Sequence, residues 1–125
     1  MRNNTNKYVL TVDGIPPSNN KYLGRTEHYK KYQDEKRLWH WKIKACSKMK
    51  PDVPLKKAIV RIIYFFRNEI RRDPDNYSGK FILDPLVKEG FIVDDSFEVV
   101  KLRIEKGGVD KKNPHTVIEV IEIED

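Results

Sequence analysis

The sequence predicts a single α+β domain, an α/β sandwich in which a mixed four-stranded sheet is packed by two main helices in the order β-α-β-α-β-β. Three features point to it. Short stretches near both ends alternate apolar and polar residues, Ala58–Phe66 is an almost unbroken apolar run, and the stretch from about Tyr29 to Met49 has neither Gly nor Pro. Alternation with period two marks half-buried strands, a short apolar run bounded by polar residues marks a central strand, and a long run of helix formers marks a helix. A chain of 125 residues is about half the size at which chains split into separate cores, so residues 1–125 are read as one domain.

In order, Tyr8, Leu10 and Val12 alternate with Lys7, Thr11 and Asp13 as a first strand, ending at Gly14-Ile15-Pro16-Pro17. Pro17-Ser18-Asn19-Asn20 has turn formers and no periodicity, so it is a loop. On the helix from Tyr29 to Met49, the residues Tyr32, Leu38, Trp39, Trp41, Ile43, Ala45, Cys46 and Met49 cover an arc of about 200°, wider than an ordinary apolar stripe. One face is expected to meet the core and another a partner. Ala58–Phe66, interrupted only by Arg61, reads as a central strand covered on both faces. A second helix is expected from Tyr77 to Glu89, with a kink or broken turn near Asp84 because Pro85 lacks an N–H and clashes with the preceding turn. Gly90 supplies its stop. Val100, Leu102 and Ile104 form a third strand and Thr116–Ile123 a fourth, with a flexible connection from Lys106-Gly107-Gly108 to Pro114.

The formal net charge is +6, which favours a polyanionic partner. The excess is local, since residues 21–50 hold ten Lys/Arg against three acids. Cys46 is the only cysteine, which excludes an intrachain disulfide and a cysteine-based zinc cluster and fits a reducing cytosol. No apolar run approaches the roughly 20 residues of a membrane span, and Met1-Arg2-Asn3-Asn4 does not read as a signal peptide. A membrane role is not expected.

The chemistry concentrates in Arg71-Arg72-Asp73-Pro74-Asp75-Asn76, Lys80 and Asp94-Asp95. Carboxylates among cations suit a hard divalent ion held against an anionic substrate, because Mg²⁺ takes oxygen ligands and shares them with phosphate. In Asp73-Pro74-Asp75 the spacer residue lets both carboxylates face one ion, and Pro74 stiffens it. Asp95, with Asp94 beside it, completes the oxygen set, while Lys80, Arg71 and Arg72 hold the phosphate or stabilise its transition state. The plain reading is helix capping, with Asp75 or Asn76 accepting backbone N–H bonds and Asp73 favoured by the helix dipole. Asp94-Asp95 alone would be a turn, and Asp84 is expected to face solvent or pair with Lys80 or Lys88.

Tyr22, Tyr29, Tyr32, Trp39 and Trp41 interleave with Lys21, Arg25, Lys30, Lys31, Lys36, Arg37, Lys42 and Lys44, a pattern compatible with a DNA-contacting face. For the two tryptophans, core or dimer packing is the preferred reading. His28, His40 and His115 lack a common metal spacing and read as surface or structural residues.

Pro16-Pro17-Ser18-Asn19-Asn20-Lys21-Tyr22, taken with Arg72-Asp73-Pro74-Asp75-Asn76, Lys80, Asp84, Leu86 and Gly90-Phe91-Ile92-Val93-Asp94-Asp95, resembles the RusA family of Holliday junction resolvases over nearly the whole chain. That resemblance implies a small homodimeric, Mg²⁺-dependent endonuclease of phages and prophages, with Mn²⁺ as a possible substitute, nicking four-way DNA junctions symmetrically in the cytoplasm of a bacterial or phage-infected cell. It implies Asp73, Asp75, Asp95 and Lys80 as catalytic residues; Asp94 is expected as a further metal ligand, and Asn19, Asn20, Lys21, Tyr22, Arg25, Lys30, Lys31, Arg71, Arg72 and Asn76 are expected on the DNA. The chain departs from the family in one place: Lys80 follows Asp75 by five residues and not four, as if one residue were inserted near Ser78-Gly79.

The leading expectation is a metal-dependent endonuclease acting on branched DNA in recombination and repair. One chain supplies one acidic cluster, and two opposed nicks call for a two-fold dimer. The alternative is a noncatalytic branched-DNA or single-strand binding protein. A calcium-binding module is weaker, because the spacing lacks the EF-hand ligand order.

Overall fold

The computed structural model describes residues 6–18, 29–72, 77 and 79–124. Six elements follow the expected order: β1 Lys7–Asp13, α1 Tyr29–Ala45, β2 Ala58–Phe66, α2 Lys80–Lys88, β3 Val100–Val109 and β4 His115–Glu122. The sheet order is β1-β4-β2-β3. β4 runs antiparallel to both β1 and β2, whereas β2 and β3 are parallel. A parallel pair needs a crossover, and α2 supplies it.

Registers place Leu10 and Val12, Val60, Ile62, Tyr64 and Phe66, Val100, and Ile118 and Val120 on one face of the sheet, all buried. Trp39 and Ile43 of α1, Phe81, Ile82 and Leu86 of α2, and Phe91 and Ile92 beyond it close the core from above. The other face is half open, which corrects the reading of β2 as covered on both sides. Ile59, Ile63 and Phe65 are only partly buried there. Arg61, the interruption in the apolar run, belongs to this open face: its Nε and Nη2 donate to Glu105 at 2.8 and 2.9 Å and its Nη1 to Glu119 at 2.9 Å. Hydrogen bonding from Arg61 holds the Glu105 carboxyl below the usual glutamate range. Burial pushes Glu119 up, but bonds from Arg61 and Lys7 outweigh it and the net shift is downward.

β3 is longer than expected. It continues through Lys106-Gly107-Gly108 to Val109, which the sequence suggested as a flexible connection, because parallel pairing with β2 persists to Phe66. The register shifts once, between Tyr64 and Phe65, and skips Gly107. A Cβ on Gly107 would sit 2.5 Å from Phe65 Cζ and 2.6 Å from Ile63 Cγ2, so this bulge accepts glycine alone without a shift of its neighbours.

α1 stops at Ala45, short of Met49. Its last turn tightens, with Cys46 N donating to the carbonyls of Ile43 and Lys42 and Ser47 N to that of Lys44, while Ser47 Oγ donates to Ile43 O. The wide apolar arc divides into two stripes. Trp39 and Ile43, with Tyr32 and Cys46, pack on the core, whereas Leu38, Trp41 and Ala45 face outward. Trp39 is 1% exposed and Trp41 is 71% exposed, so Trp39 packs in the core and Trp41 stands on the outer face of α1. α2 begins at Lys80 and not Tyr77, and runs through Pro85 without a broken turn. Among the described residues, no helix is long and apolar enough to cross a membrane.

Candidate functional site

Gly79 sets the start of α2. Its φ is +78°, a left-handed conformation open to glycine, and a Cβ there would lie 3.2 Å from Ile62 Cδ1, so the chain passes close over β2 before turning into the helix. Gly79 O accepts from Ile82 N and Leu83 N. Lys80 is therefore the first helical residue. Lys80 Nζ lies 5.4 Å above the Tyr32 ring, which itself meets Phe81 edge-on at 5.5 Å.

Pro16, Pro17, Tyr64, Tyr77, Gly79 and Lys80 line one narrow crevice. The Pro-Pro loop after β1 and the start of α2 are thus adjacent, although more than sixty positions apart in sequence. α1 and α2 run in the same direction. Tyr32 meets Phe81 at one end, and at the other His40 Nε2 lies 2.8 Å from Glu89 Oε2, the structural role expected of a histidine with no metal spacing. Lys30 and Lys31, both exposed, stand in the first described turn of α1, at the Lys80 end.

Arg71 and Arg72 enter this region from the C-terminal end of β2. The Arg72 guanidinium lies 4.2 Å from the Phe66 ring centroid. Its Nη1 donates to the carbonyls of Asn68 and Ile70 and its Nη2 to Asn68 Oδ1, at 3.1, 2.8 and 2.8 Å. Three of its donors thus brace the turn. Tyr64, Phe66, Ile70, Arg71, Arg72, Tyr77, Ile104 and Lys106 line a recess of about 280 Å³. The sequence reading missed this recess. Its signal was the pair Tyr64 and Phe66, two apart on one strand face and next to Arg71-Arg72.

At its other end α2 closes with Gly90 at φ +85°. Gly90 N donates to Val87 O and Phe91 N to Leu86 O, at 3.1 and 2.9 Å, the pairing that satisfies the last carbonyls of a glycine-terminated helix. Leu55 N then bonds Phe91 O and Val93 N bonds Leu55 O. This ties the segment to the N-terminal end of β2. Asp94 and Asp95 follow there, exposed. They lie beyond the far end of α2 from Lys80, a helix of nine residues and so about 13 Å long. Asp94 and Asp95 therefore stand at the opposite end of α2 from Lys80, because α2 carries the chain down the sheet. Asp84 pairs with Lys88 at 3.1 Å, as expected.

Asn19, Asn20, Lys21, Tyr22, Arg25, Asp73, Asp75 and Asn76 lie outside the described residues, as does His28. Among the described residues, no three His, Cys, Asp or Glu side chains gather as metal ligands. No curated protein matches the sequence. The family model described as Endodeoxyribonuclease RusA matches residues 13–121, a span that takes in the Pro-Pro loop, Lys80 and both acidic segments, and the chain belongs to the RusA endodeoxyribonuclease family.

Proposed function

We propose that the protein is a Mg²⁺-dependent endonuclease that resolves four-way DNA junctions by paired nicking, acting as a homodimer. One observation carries this beyond family membership. Lys80, the Pro-Pro loop and both described neighbours of residues 73–76, Arg72 and Tyr77, meet at one end of the sheet. Asp73 and Asp75, with Asp94 and Asp95, offer the hard oxygen donors that Mg²⁺ or Mn²⁺ takes. Such an ion supplies Lewis-acid activation of water and offsets charge on the leaving oxygen. The Lys80 ammonium, at the N-terminus of α2, places positive charge where the phosphate gains negative charge. Lys30 and Lys31 extend the basic surface along the DNA.

The opposed positions of Lys80 and Asp94-Asp95 give the dimer a direct purpose. Asp75 precedes Tyr77 by two residues in sequence, and Tyr77 lines the crevice beside Lys80, at the end of α2 away from Asp94-Asp95. A shared ion therefore draws its ligands from two chains. The exposed stripe Leu38, Trp41 and Ala45 is the contact face. Since α1 runs from the Lys80 end toward the Glu89 end, antiparallel pairing of two α1 helices about a two-fold axis sets one chain's Lys80 end beside its partner's Asp94-Asp95 end.

The test is cleavage of a synthetic four-way junction beside its linear duplex. With Mg²⁺ two opposed strands are nicked; with Ca²⁺ the junction is bound and left intact. A shift in a gel with no cutting under any divalent ion would favour the noncatalytic binder. Trp41→Glu should give a folded monomer without paired nicking, because Trp41 is 71% exposed. Trp39→Glu should unfold the protein, because it buries an unpaired charge. Circular dichroism and sedimentation separate the two, and a stable dimer of Trp41→Glu would refute the α1 interface. Lys80→Ala should lower single-turnover cleavage by about 10²-fold with little change in affinity. If affinity falls while bound junction is cut at the original rate, Lys80 is a phosphate contact only.

A further inference from the structure

We propose that the recess beside Arg72 and Tyr77 receives one unstacked nucleobase of the cleaved strand, next to the scissile phosphate. This rests on the reading of the protein as a junction endonuclease and adds to it the part of the substrate recognised there. The recess is walled by aromatic and aliphatic side chains: Tyr64, Phe66 and Tyr77 pack tilted or edge-on against one another with centroids 5.4 to 5.7 Å apart, and Ile104 adds an aliphatic surface. Its volume of about 280 Å³ lies just below the range for drug-sized ligands, the scale of a single flat ring system.

The chemistry of the rim selects a neutral ring over a phosphate. Arg72 is stacked on Phe66 and holds Asn68 and Ile70 with three donors. Lys106 Nζ is paired with Glu69 at 3.1 Å. Arg72 and Lys106, two of the three cations that line the recess beside Arg71, are thus committed to the fold, and Arg72 presents a flat surface. Faces of this kind stack on bases without regard to sequence. Burial raises the pKa of the Tyr64 hydroxyl, so Tyr64 keeps its O–H and adds no charge.

Position gives the base its identity in the substrate. Arg72 immediately precedes residues 73–76 and Tyr77 immediately follows them. A nucleotide held in the recess is therefore within one or two positions of a phosphate held by Asp73 and Asp75. Unstacking a base is least unfavourable where pairing is already interrupted, as at the branch point of a junction. The recess thereby turns the shape of the branch into a requirement for cutting.

The test is a set of four-way junctions, each lacking one base among the nucleotides flanking the cut, bound in Ca²⁺. One position should weaken binding to the unmodified protein by about tenfold, the effect of losing one stacked base. The same abasic junction should weaken binding to Tyr77→Ala, and to Ile104→Trp, which fills the recess, by less than twofold. Equal effects at every position, or the same tenfold loss in both variants, would overturn the pocket while leaving the endonuclease reading intact. A protein that neither binds nor cuts the intact junction would remove the endonuclease reading and this proposal with it.

Discussion

Asp75→Asn should leave the protein folded and able to bind a junction, and should lower cleavage of bound junction by about 10³-fold or more. The change keeps the side-chain shape and removes one negative charge, so its effect falls on the divalent ion and not on the fold. Losing a ligand that anchors a Lewis acid removes several kcal/mol of transition-state stabilisation, and about 4 kcal/mol corresponds to that factor. Affinity should stay level or rise, because a carboxylate that repels phosphate has been removed. Single-turnover cleavage at saturating protein separates binding from chemistry, and nicking at close to the original rate would refute Asp75 as a ligand. Asp95→Asn should match it, and Asp94→Asn should be milder; the reverse order would make Asp94 the principal ligand.

What the sequence disclosed follows from how local each signal is. Ala58–Phe66 matched β2 residue for residue, because an apolar run ends where its burial ends. The alternation of Tyr8, Leu10 and Val12 likewise located β1. The start of α2 was misplaced at Tyr77 because helix propensity does not register a glycine held at positive φ, whereas the close approach of Gly79 to Ile62 forces one. The length of β3 was hidden for a different reason. Gly107-Gly108 reads as a break, yet pairing with β2 and the Phe65 ring over Gly107 turn it into a bulge within a strand. Lys80 and Asp94-Asp95 stand out in the sequence as types and spacings. Their separation by the length of α2 does not, since it depends on α2 acting as a crossover between parallel strands, a pairing set by contacts distant in sequence.

That distribution makes a mixing experiment decisive. Asp75→Asn and Asp95→Asn homodimers should each be inactive, and mixing them under conditions of subunit exchange should restore cutting. In a heterodimer with ligands drawn from both chains, one site combines the two altered residues and the other combines the two unaltered ones. Random exchange makes about half of the dimers mixed, and half of the sites in those are intact, so about one quarter of wild-type site activity should return under C₂ symmetry. The product should be singly nicked junctions, because each active dimer holds one working site. If each site is built within one chain, every site in the mixture carries a lesion and no activity returns. A mixture that stays inactive after exchange has been verified by native mass spectrometry would therefore assign Asp75 and Asp95 of a single chain to one ion and refute the shared site.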